Sequence, residues 1–93
     1  MKFSKLVKKW QGKLDWWISA EPYNKWFYKG SMADMPFPLY LAIADLKVVW
    51  YGDWGCDEEY VESRFEVRLS RPENEEQFEM VVERYGVKKN NDV

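Results

Sequence analysis

From Tyr60 to Ser70 the chain alternates without a break. Val61, Ser63, Phe65, Val67 and Leu69 fall on one side; Tyr60, Glu62, Arg64, Glu66 and Arg68 fall on the other. A period of two over this length belongs to an extended strand with one apolar face and one wet face. The wet side alternates in charge, which suits pairing across to a neighbouring strand. Any fold for this chain has to supply a sheet around that strand and a cover for its apolar side.

Candidate neighbours lie upstream. Lys47-Val48-Val49-Trp50-Tyr51-Gly52 is rich in β-formers. Leu39–Ala44 is ambiguous: Ala42 and Ala44 favour a helix, while Pro38 before it and the β-rich run after it favour a hairpin. We read a hairpin of 39–44 with 47–52, although no Gly or Asn supplies the usual left-handed turn position. Lys25-Trp26-Phe27-Tyr28-Lys29 reads as a short edge strand guarded by a Lys at each end, or as a single helical turn. The segment Ser31–Pro38, with Pro36 and Pro38, reads as an irregular loop.

Two stripes of helical period flank these runs. Phe3, Leu6, Val7, Trp10, Leu14, Trp17 and Ile18 follow the i, i+3, i+4, i+7 rule and predict a helix over about 3–18. Gly12 lies off the stripe, and Trp16 falls outside it as a surface aromatic. Phe78, Val81, Val82 and Tyr85 make a second stripe over about 73–85, with acids in the first turn and Gly86 as the stop. Both Ser70–Glu73 and Asn74–Gln77 have capping-box spacing. The tail 88–93 is expected to fray.

The expected order is α-(β)-β-β-β-α. That is an α+β, two-layer fold: an antiparallel meander of three to four strands, with an N-terminal and a C-terminal helix on its apolar face. The 93 residues are read as a single domain, 1–93.

Charge is distributed unevenly. Residues 1–30 carry seven Lys and two acids, a balance of +5; residues 31–87 carry five basic and thirteen acidic groups, a balance of −8. The chain has six Trp, six Tyr and five Phe, more than a core of this size needs, so some are expected at a surface where Trp and Tyr favour partners. The first helix pattern is cationic and amphipathic. It reads as a cover for the sheet, with a membrane surface or a polyanion as the other readings. No run approaches the roughly 20 apolar residues of a membrane span. The single cysteine, Cys56, suits a reducing compartment, and we expect a cytoplasmic protein.

The residue types also exclude chemistry. The chain contains no His, which removes Ser-His and Cys-His nucleophile pairs and His-ligated metal sites. Cys56 lies beside Asp57, Glu58 and Glu59, and negative neighbours disfavour a reactive thiolate. The glycines are scattered and make no phosphate loop. The acidic cluster lacks the spacing of a calcium loop. No enzyme activity, cofactor or metal is expected.

The expected function is a small protein-binding module of the inhibitor, immunity or virus-encoded host-modifying kind. It would occlude a basic site on a larger protein through Trp50, Tyr51, Asp53, Trp54, Asp57, Glu58, Glu59 and Glu62. The aromatics would anchor and the carboxylates steer. The alternative is single-stranded nucleic-acid binding through Lys9, Lys13, Lys25, Trp26, Tyr28 and Lys29, which interleave charge with aromatic rings. A homo-oligomer is compatible with either.

Overall fold

The computed structural model describes residues 1–54 and 64–86, with the backbone alone for Trp54. Its order is α1 (Phe3–Lys9), β1 (Trp16–Ala20), β2 (Tyr28–Gly30), α2 (Phe37–Ile43), β3 (Val48–Trp54), β4 (Arg64–Leu69) and α3 (Glu75–Tyr85). The class is α+β with helices toward both ends, as the patterning predicts. The sheet, however, is mixed. Its strand order is β2-β1-β4-β3, and β1 runs parallel to β4, from Trp16 opposite Phe65 to Ala20 opposite Leu69. The antiparallel meander is therefore corrected: only the β1–β2 and β3–β4 pairs are antiparallel.

The reason lies in residues 10–20. The predicted helix over 3–18 stops at Lys9, and Trp10 leaves helical geometry. Gln11 and Gly12 follow as a turn, where Gly costs a helix about 1 kcal/mol relative to Ala. Trp16, Ile18 and Ala20 then alternate with Trp17 and Ser19 as a strand at the centre of the sheet. The helical stripe misplaced three residues. Leu14 is 79% exposed, Trp16 is fully buried, and Trp17 lies on the side opposite the core. Trp16 packs edge-on to Phe65 at 4.7 Å and to Phe3 at 6.0 Å, and its Nε1 donates to the Lys13 carbonyl at 3.0 Å.

The predicted strand 39–44 is a second correction. Phe37–Ile43 is helical, with Pro38 in the first turn, where proline's missing N–H costs nothing and its fixed φ suits the helix. The hairpin of 39–44 with 47–52 therefore does not form. Strand β3 pairs instead with β4, Tyr51 opposite Val67 and Asp53 opposite Phe65, with a bulge between Val48 and Trp50. Residues 1–4 dock on the α2–β3 connection: Phe3 N–H donates to Leu46 O, Ser4 N–H to Ala44 O and Val48 N–H to Met1 O.

Strand β4 keeps the alternation that defined it, with Phe65, Val67 and Leu69 buried in the core. The part of the predicted strand before Arg64 lies outside the described residues. The run 25–29 yields β2 at Tyr28–Gly30, an edge strand. Helix α3 uses the second of its two possible starts: Asn74 Oδ1 accepts from Gln77 N–H at 3.1 Å. Ser70 Oγ is committed elsewhere, to Lys47 N–H at 3.1 Å. Gly86 ends the helix, and a Cβ there would sit 2.6 Å from Val82 O and 2.8 Å from Phe27 O.

One cluster gathers the buried apolar residues. It joins Phe3 and Leu6 of α1, Leu39 and Ile43 of α2 and Phe78 of α3 to the inward side of β1 and β4. All three helices thus cover one face of the sheet. No described helix packs on the other.

Candidate functional site

The uncovered face is where chemistry-bearing side chains collect. By register it carries Trp17 and Ser19 from β1, Lys29 from β2, Arg64, Glu66 and Arg68 from β4, and Trp50 and Gly52 from β3. Trp17 is its centre. The Lys29 ammonium and the Arg64 guanidinium each lie 4.4 Å from its ring centroid, one reaching in from each neighbouring strand. Trp26 meets the same ring edge-on at 5.7 Å. Each cation–π contact contributes about 0.5–1 kcal/mol at a partly exposed site.

Glu66 lies between Trp17 and Gly52 in neighbouring strands and is only 7% exposed. Arg64 Nε pairs with Glu66 Oε2 at 2.6 Å, and Arg68 donates to Ser19 Oγ at 3.1 Å. The buried Nε1 of Trp17 has no acceptor among the described residues. Trp50 stands 43% exposed beside this network. The result is a flat, half-covered layer of indole rings and guanidinium groups.

The sequence-predicted interface does not come together as one surface. Trp50 is on the uncovered face. Tyr51 points to the other side, 5.7 Å from the Phe65 ring and 6.2 Å from Trp10. Asp53, on the Tyr51 side, pairs with Lys13. Trp54 ends β3 opposite Arg64. Asp57, Glu58, Glu59 and Glu62 lie outside the described residues.

The predicted nucleic-acid set divides as well. Trp26 and Lys29 reach the Trp17 cluster. Lys9 closes α1, and Lys13 is held by Asp53 and lies 5.4 Å from the Trp10 ring. Lys25 is exposed in the loop before β2. Tyr28 is buried on the core side, its hydroxyl donating to Ser31 O at 2.6 Å, and burial raises its ionisation above the ordinary phenol value. Sequence reasoning missed Trp17 and Arg64 as site residues. The Arg64-Glu66-Arg68 alternation was visible; the strand that places Trp17 beside it was not.

A cleft of about 840 Å³ also opens between α2 and α3, lined in part by Lys2, Leu41, Lys47, Arg71, Phe78 and Val81. Among the described residues, no three His, Cys, Asp or Glu side chains gather as a metal site would require, and no helix is long and apolar enough to cross a membrane. No family model, curated protein or solved structure matches the chain.

Proposed function

We propose that the chain is a non-enzymatic, cytoplasmic protein-binding module of the inhibitor or immunity kind, and that it meets its partner through the uncovered face of the sheet. One observation carries this reading: Trp17, Trp26 and Trp50 share that face with Arg64 and Arg68, and no described helix covers them. Trp and Arg are the side chains most enriched among the energetic centres of protein interfaces. The cations of this face favour an acidic rim on the partner, so of the expected interface Trp50 is kept as an anchor, Tyr51 is not, and the charge preference is reversed. Steering by the acids from Asp57 to Glu62 is not needed for this contact.

Single-stranded nucleic acid is the weaker reading. Base binding needs free aromatic faces on which to stack, and the Trp17 ring is already attended by Lys29 and Arg64.

The test uses a photo-crosslinking amino acid placed at Trp50 or, as a control, at Met80, which is exposed on α3. In lysate of the native source, position 50 is expected to capture one protein and position 80 none, with Trp50→Ala lowering affinity for that protein by about 2 kcal/mol, roughly 30-fold. Capture from position 80 alone would move the interface. Salt-sensitive retardation of an oligonucleotide, with no protein captured, would replace this reading with the nucleic-acid one.

A further inference from the structure

The two edges of the sheet are unequal. Strand β2 has three residues, includes Lys29 and ends on Gly30 at φ 144°, which makes it a short, charged, poor template for pairing. Strand β3 has seven residues, VVWYGDW, and neither Lys nor Pro within it. Its Val49, Trp50 and Tyr51 are 47%, 43% and 36% exposed, three consecutive apolar residues. Residues 1 and 2 shield only the start of this edge, through the Met1 O–Val48 N–H bond and the Lys2–Lys47 bridge. From Val49 to Asp53 no described strand pairs on the outer side. Past the bulge at its start, an edge of this length with exposed apolar residues is a pairing site.

We infer that β3 is the seam of a homodimer, in which two copies pair their β3 strands antiparallel about Tyr51. This register overlaps all seven residues of the strand, with Val49 of each copy across from Asp53 of the other. Pairing about Tyr51 sets Trp50 of each copy across from Gly52 of the other, on the uncovered face. An indole then covers a residue with no side chain, the aromatic–glycine arrangement that stabilises sheet edges. Tyr51 meets Tyr51 on the covered side, a favourable aromatic pair.

Pairing about Trp50 would bring Lys47 into the seam, where Lys2 already bridges it. Pairing about Gly52 would set Tyr51 against Asp53 and glycine against glycine. A two-fold axis perpendicular to the sheet keeps the helices of both copies on one side. Two four-stranded sheets become one of eight strands, and the two Trp17 clusters lie on a single continuous face. The inference stands independently of which partner that face binds.

Sedimentation equilibrium of the purified chain tests it. The expected mass is twice 11.3 kDa, with Val49→Glu, which sets a second carboxylate across from Asp53 of the other copy, weakening self-association at least tenfold, and Leu41→Lys, at an exposed position of α2, leaving it unchanged. In a Cys56→Ser background, Tyr51→Cys is expected to oxidise to a covalent dimer, because residues directly opposite across an antiparallel pair lie within disulfide reach; Leu41→Cys is expected to form no crosslink. Near-ultraviolet circular dichroism confirms that each variant remains folded. A wild-type chain that stays monomeric at all concentrations overturns the inference. So does a dimer that Val49→Glu leaves intact and Tyr51→Cys does not crosslink.

Discussion

The two faces of this sheet use similar residues to different ends. On the covered face Trp16, Phe65 and Phe3 pack ring against ring beneath the helices, with the one polar atom of Trp16 satisfied. On the other face Trp17, the next residue along, is attended by two cations and has no acceptor for its Nε1 among the described residues. One indole is held by close packing, where lost volume becomes a cavity. The other is held by charge at a half-open surface, where water can replace what is removed. Neighbouring tryptophans in one strand therefore carry different duties.

Substitution at the two positions should separate them. Trp16→Ala is expected to cost about 3–5 kcal/mol in urea unfolding, the range for a large aromatic removed from a packed core. Trp17→Ala should cost about 1–2 kcal/mol, chiefly the two cation–π contacts and part of the ring's burial. Equal losses would erase the distinction between the faces.

How tightly the covered side closes is tested next at Gly86. A Cβ there would meet two backbone carbonyl oxygens, Val82 O and Phe27 O, at less than contact distance. Gly86→Ala is expected to destabilise by about 1–3 kcal/mol through overpacking, although the φ of −83° there is one that alanine adopts without strain. A smaller effect is expected at the start of the same helix. Asn74→Ala removes the acceptor for Gln77 N–H and should lower stability by about 1 kcal/mol, with Asn74→Ser retaining most of it.

The smallest effect belongs to the rim of the covered side. Tyr23 stacks on Phe78 and donates its hydroxyl to Glu79 at 2.8 Å; that hydrogen bond, more than any other influence, pushes its ionisation up to about 12. A phenol whose folded pKa lies above its unfolded value near 10 stabilises the fold below that value. The contribution is lost as pH rises from 10 through 12. Tyr23→Phe should therefore flatten this alkaline part of a melting-temperature series. An unchanged alkaline slope would remove Tyr23 as its source.

How far the sequence revealed this molecule depends on where each partner lies. The strand at 64–69 and the helix at 75–85 were legible because their own periods are clean. Strand β1 was not. Leu14, Trp17 and Ile18 satisfy a helical stripe, and the neighbour that makes Trp16–Ala20 a strand is β4, with Ser19 and Arg68 bonded across 49 residues. Pro38 misled in the opposite direction, marking a helix start where it was read as a barrier. The candidate site inherits both limits: Trp26, Lys29 and Trp50 were visible as site residues, and the ring that joins them was assigned to the core.

The same β1–β4 pairing sets an order of events during synthesis. A growing chain makes Trp16–Ala20 early, yet the strand that completes the middle of the sheet is complete only when Leu69 has been added. At roughly 5–20 residues per second, the intervening stretch takes about 3–10 seconds. Non-local parallel pairing is also slow to close once its partner is available. For that interval an aromatic strand waits without its neighbour, so the centre of this sheet stays open until late in synthesis and is a part of the molecule that a chaperone would meet exposed.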